Sequence, residues 1–212
     1  MRNAVLGLVG VVLVMVIASV AYVAQLPGHV HVERSKVVNA TPQDVWPYLS
    51  DLKQFTTWSP WEGMDPTQKV EFSEPSSGVG AWYTWAGNKD VGKGKMQIVE
   101  SEPPKKVVET LEFIEPFESK ADVVLTSEAV AAGTKIAWAF DTEMGFMGKA
   151  AGVFMNMDSS LGADFTRGLD KLATLAEADA KARIEREKQA EADATAQQAA
   201  EAQASEVMPA AP

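Results

Sequence analysis

A carboxylate on an apolar helical face is the group in this chain best suited to acid-base chemistry, and Asp158 has that setting. It lies four residues after Phe154 and three before Leu161, in a segment of helical period that continues to Phe165. An inward Asp158 would have a raised pKa and qualify as a general acid or base. An outward Asp158 would be a solvated carboxylate, with Met157 taking the inward place. Tyr83 can donate a hydrogen bond to a ligand carbonyl, which serves binding as readily as catalysis. Asp141 and Glu143 follow the last strand, where a loop would leave them in solvent. His29-Val30-His31 sets two imidazoles on one face of an extended segment, the beginning of a copper or zinc site, but no cysteine or neighbouring carboxylate completes it and no metal is expected. The glycines at 87, 92 and 94 lack the lysine and the strand-to-helix context of a phosphate cradle.

Composition closes off other chemistries. With no cysteine there is no disulfide framework, thiolate nucleophile, iron-sulfur cluster or zinc-thiolate site, and with only two histidines a multi-histidine metal centre is excluded. Nothing calls for a cofactor. The 19 Lys+Arg against 29 Asp+Glu, a net charge of -10, argue against nucleic acid or anionic lipid as a partner, since each phosphate contact needs a cation.

The elements that would position these residues fall into three parts. Ala4 to Leu26 is almost wholly apolar and, at ~1.5 Å per helical residue, long enough to cross a hydrocarbon core of about 30 Å. It reads as a single-pass N-terminal anchor within residues 1–30, with the domain outside the cytoplasm; the alternative is a cleaved signal, for which Ser19-Val20-Ala21 supplies small residues. Residues 178–212 are rich in Ala, Glu, Gln and Lys, which suits a solvated helical extension that frays beyond Thr195 into a disordered Met208–Pro212. A protein partner could dock there through a coiled coil, although its core positions would be mostly alanine.

All six tryptophans fall between, in residues 31–177. His31 to Val38 alternates as a strand, and Thr41-Pro42-Gln43-Asp44 opens a helix, with Thr41 as cap and Asp44 in the first turn. A second short helix spans Asp51 to Trp58. Strands follow at 69–73, 81–86, 93–101, 107–114, 120–130 and 134–140, separated by Gly- and Pro-rich turns short enough for hairpins. After Gly145 the period lengthens, and Phe154, Leu161, Phe165, Leu169 and Leu172 mark a long helix ending near Glu177. The expectation is an α+β domain.

This order, with its local motifs, resembles the SRPBCC superfamily, the START-like and Bet v 1-like helix-grip domains that include a polyketide cyclase/dehydrase-like group. The resemblance is carried by Val38-Asn39-Ala40-Thr41-Pro42-Gln43-Asp44-Val45-Trp46, Trp58-Ser59-Pro60-Trp61, Gly78-Val79-Gly80-Ala81, Gly94 to Pro104, Gly133 to Trp138, and Gly162-Ala163-Asp164-Phe165 with Gly168-Leu169. It implies a helix-grip fold, a curved antiparallel sheet of about six to seven strands around a long C-terminal helix, with a deep cavity for an apolar or lipid-like molecule.

Strand parity names candidate walls for such a cavity. Tyr83 and Trp85 share one strand face, Leu111 and Phe113 another, and Ile136, Trp138 and Phe140 a third. Phe154, Asp158 and Leu161 would face them from the helix, and Trp58 and Trp61 would flank the entrance; each aromatic could equally be core packing. Three functions fit: a membrane-anchored binding module for an apolar ligand, a cyclase or dehydratase using Asp158 and Tyr83, or an envelope interaction protein whose interior is filled by its own side chains.

Overall fold

The computed structural model describes residues 2–116, 118–152 and 156–207, with side chains in the first helix from residue 10 onward. Helix α1 (Arg2–Gln25) leads into strand β1 (His29–Val38). Among the described residues no helix is long and apolar enough to cross a membrane, so the anchor expected over Ala4–Leu26 is not shown.

Helix α2 (Pro42–Ser50) starts where its capping signals stand. The Asp44 N–H donates to Thr41 Oγ1 at 3.3 Å and the Thr41 N–H donates to the Asp44 carboxylate at 3.1 Å, satisfying two backbone donors that the first turn leaves open. Asp51 then caps α3 (Leu52–Trp58) by accepting from the Lys53 N–H at 2.9 Å. These two short helices carry the chain across to a meander of six strands: β2 (Lys69–Phe72), β3 (Trp82–Ala86), β4 (Lys93–Glu102), β5 (Lys106–Glu115), β6 (Ser119–Val130) and β7 (Gly133–Glu143). The sheet has seven strands in the order β1-β7-β6-β5-β4-β3-β2, every pair antiparallel. Strand β1 thus closes against the last strand rather than its neighbour in sequence.

The helical region after Gly145 differs from the single helix expected there. A separate α4 (Phe146–Gly152) precedes α5 (Met157–Val207). Gly148 and Gly152 weaken the first piece, and Asn156 restarts the helix by accepting from the Ser159 N–H at 3.0 Å. Helix α5 does not stop at Glu177 or fray at Thr195, because residues 169–207 contain neither glycine nor proline. The expected disorder at Met208–Pro212 concerns residues outside those described.

The sheet grips α5 through Phe165, Leu169, Leu172, Ala173 and Ala176, all buried. Polar ties run the length of that contact: Arg34 to Asp158 at 3.1 Å, Lys36 to Asp170 at 2.7 Å, and the Asn39 N–H donating to Glu177 at 3.0 Å. They continue past residue 177. Tyr48 donates to Asp179 at 2.5 Å, Ala180 is buried, and Arg183 reaches Asp44 at 2.8 Å. At Gly168 an added Cβ would lie 2.8 Å from the Trp138 ring, so glycine there lets the helix settle against a buried tryptophan of the sheet.

Candidate ligand-binding interior

The inward faces of the strands and α3 bring their aromatic rings into one connected group. Trp138 lies flat on Phe165 with centroids 4.0 Å apart, and Trp58 meets Trp138 edge-on at 5.0 Å. Phe55 contacts Trp58 at 4.9 Å and Tyr83 at 6.1 Å. From Tyr83 the chain of rings continues to Trp85 at 5.4 Å and from there to Phe113 at 5.9 Å. Trp61 completes the group, 5.8 Å from Trp138 and 6.4 Å from Phe165. Offset and edge-to-face pairs of this kind add to the burial of the rings themselves. Gly94, opposite Trp85 on β4, leaves the space that the Trp85 ring occupies.

Glu109 is the residue in this interior that the sequence reading missed. It is 1% exposed, and its Oε2 has no hydrogen-bond partner among the described protein groups. It sits on β5 between Ile98 of β4 and Val123 of β6, both buried. A register shift in β4 between Ile98 and Glu100 lies directly beside it, the kind of bulge that re-aims a side chain. Burial pushes the Glu109 carboxyl up to about 8, so at neutral pH and below it is mostly the uncharged acid. Burial, then the carboxylates of Glu109 and Glu62, also raise Tyr83 above the ordinary phenol value. A second polar atom is left over among the rings. The indole N–H groups of Trp58 and Trp85 donate to the carbonyls of Tyr48 and Val91, at 2.9 and 3.3 Å, whereas Trp138 Nε1 is buried without a partner.

The structure places Trp58, Tyr83, Trp85, Leu111 and Trp138 in the buried interior, with Trp61, Phe113 and Leu161 half-buried at its edge. Phe154 lies outside the described residues. Asp158 is corrected: its side chain is 63% exposed, and both of its carboxylate oxygens accept from Arg34. The Arg34 guanidinium holds that carboxyl below the usual range, the opposite of the shift an interior acid would show. His29 and His31 both point at Asp141 Oδ1, at 3.2 and 2.8 Å, and among the described residues no group of three or more His, Cys, Asp or Glu could hold a metal. The parity that brought out Leu111 and Phe113 also covers Val107 and Glu109, so an acid on an otherwise apolar strand face was the signal available in the sequence.

The deep cavity expected from the resemblance is, among the described residues, occupied by these rings. Two hollows at the surface are open and shallow. One, of about 330 Å³, is bounded by Glu112, Phe113, Ile114 and Glu118 to Lys120; the other, of about 390 Å³, by Asp65, Thr67, Lys69 and Ala86 to Asn88. By strand register both lie at the end of the sheet where β1 begins and α1 joins. Val30, Phe113, Met157 and Leu161 are half-buried at the same end.

The family described as polyketide cyclase / dehydrase and lipid transport matches residues 29–177, from the first residue of β1 into α5. The chain belongs to that family. Solved structures agree on the fold. The Mll3558 protein of Rhizobium loti is 14% identical with a TM-score of 0.53, the match covering 69% of this chain and 96% of that one. A Rhodobacter sphaeroides protein is 19% identical at 0.52, covering 70% and 92%, and SA2116 of Staphylococcus aureus, a protein of unknown function, is 14% identical at 0.52, covering 72% and 96%. At such identities the likeness is one of fold. No curated protein matches the chain.

Proposed function

We propose that this chain is a binding module that takes an apolar or lipid-like molecule into its helix-grip interior, the rings packed there parting to admit it, and is tethered to a membrane by Ala4–Leu26. The observation that carries this reading is the pair of unsatisfied polar atoms, Glu109 Oε2 and Trp138 Nε1, among fully buried rings. Native cores pair nearly all such groups, and an unpaired buried donor or acceptor costs ~1–3 kcal/mol, so the arrangement favours a bound molecule over stability alone. The family's description, which includes lipid transport, supports it. The tether is supported by the apolar side chains of Val11, Leu13, Val14 and Ile17 on α1, each more than half exposed. Ile114, Phe146 and Met147 expose apolar surface near the same end of the domain, which supports loading of the ligand from an adjacent bilayer.

A second reading, a cyclase or dehydratase, is favoured by Glu109, whose raised carboxyl suits a general acid as Asp158 does not. Energy transfer from the tryptophans to the neutral dye N-phenyl-1-naphthylamine tests binding. Saturable one-to-one uptake by the full chain is expected. The absence of saturable uptake would contradict binding and favour an interaction protein with a filled interior. Recovery of a chemically altered ligand would favour the enzyme.

A further inference from the structure

We propose that the interior selects a neutral lipid-like molecule bearing a hydroxyl or carbonyl oxygen, engaged by the Glu109 carboxyl and the Trp138 indole N–H, and that it rejects anionic amphiphiles. This inference rests on the binding reading above and adds the chemical class of the ligand.

The two orphan atoms restrict what can satisfy them. An indole N–H only donates, so the molecule must bring an acceptor. A protonated carboxyl offers both an O–H donor and an acceptor oxygen, so it can serve a hydroxyl or a carbonyl. Purely hydrocarbon ligands would leave both atoms as they are. The surroundings disfavour an anionic headgroup. Among the described residues no cation bears on Glu109: burial alone governs its ionisation, its strand neighbours are Ile98 and Val123, and the other carboxylate bearing on Tyr83 is Glu62. Arg34 and Lys36, which face α5 from β1, are already tied to Asp158 and Asp170. A carboxylate or phosphate headgroup would therefore be a second acid in apolar space without compensation. An ammonium headgroup would oblige Glu109 to ionise and leave the Trp138 N–H unmet.

The experiment displaces N-phenyl-1-naphthylamine from the full chain, held in an amphipathic polymer belt at pH 7, with four twelve-carbon probes: dodecane, 1-dodecanol, dodecanoate and dodecylamine. The alcohol should displace the dye about tenfold more effectively than the alkane, the worth of one buried hydrogen bond. It should exceed dodecanoate and dodecylamine by at least as much. Glu109→Gln, neutral and of similar shape, should keep the preference for alcohol over alkane, whereas Glu109→Leu, which leaves only the Trp138 N–H, should reduce it several-fold while still binding the dye. Tightest displacement by dodecanoate or dodecylamine, or an alcohol-to-alkane ratio unchanged in Glu109→Leu, would overturn the proposal and leave binding standing. Failure of the unaltered chain to take up the dye would overturn the binding reading itself.

Discussion

Replacing Glu109 by Gln should change how stability depends on pH more than how large it is at low pH. The folded carboxyl sits at about 8 against an ordinary 4.5, so the folded state keeps a proton that the unfolded state gives up between those values. Stability is then full below about pH 4.5 and falls as pH rises toward 8, at a limiting slope of roughly 1.4 kcal/mol per unit. Urea midpoints at pH 5 and 7.5 measure this. The unaltered chain should lose stability across the interval and Glu109→Gln should lose much less; equal losses would contradict a buried neutral acid. Trp138 supports a matching comparison. Trp138→Phe keeps a ring against Phe165 while removing the unpartnered N–H and part of the indole volume, so it should lower the thermal midpoint less than Trp138→Ala, which opens a larger cavity and should cost ~3–5 kcal/mol. Asp158→Ala should leave dye uptake unaltered, because that carboxylate faces solvent and Arg34 rather than the interior.

At the scale of elements, the approach of α5 to the sheet is set by the side chains it must clear. Gly168→Ala should destabilise the fold by roughly 1–3 kcal/mol, because the new Cβ meets Trp138 at 2.8 Å and Pro60 at 3.2 Å, and stacking on Phe165 keeps the indole from yielding. Alanine's better helix propensity, about 1 kcal/mol, offsets only part of this. Thermal unfolding measures the difference; a midpoint equal to or above that of the unaltered chain would contradict tight packing at this crossing. The strands were legible in the sequence because each is bounded by Gly or Pro turns and alternates in polarity, and α2 was legible because Thr41 and Asp44 form a capping box. The break between α4 and α5 was not, since Phe154, Leu161 and Phe165 keep helical spacing across it. Parity found Tyr83, Trp85, Leu111 and Trp138 because one face of a strand is read as a unit. Glu109 shares the strand face of Leu111, but that Ile98 and Val123 enclose it is visible only in the pairing of the sheet.

Across the whole molecule, the long C-terminal helix has a folded half and a projecting half, and the boundary is Arg183. Its guanidinium binds Asp44 and Glu187, and together with the Thr41 contacts it draws the Asp44 carboxyl down to about 2. A chain ending after residue 190 should therefore keep the thermal midpoint of the full chain. One ending after residue 177 loses Asp179, Ala180 and Arg183 and should unfold at a lower temperature by circular dichroism. Equal midpoints would contradict a structural role for 178–183. At the opposite end of the domain, half-buried Val30, Phe113, Met157 and Leu161, two open hollows and the root of α1 occur together, and it is there that the proposed loading of a ligand would take place. The most direct test of binding is native mass spectrometry of the full chain, purified from a membrane-containing host, with solvent extraction of whatever is released. A defined neutral, oxygen-bearing apolar molecule in one-to-one amount, lost in Trp138→Ala, is the expected result. A bare chain mass that remains bare after incubation with membrane lipid extract would contradict it.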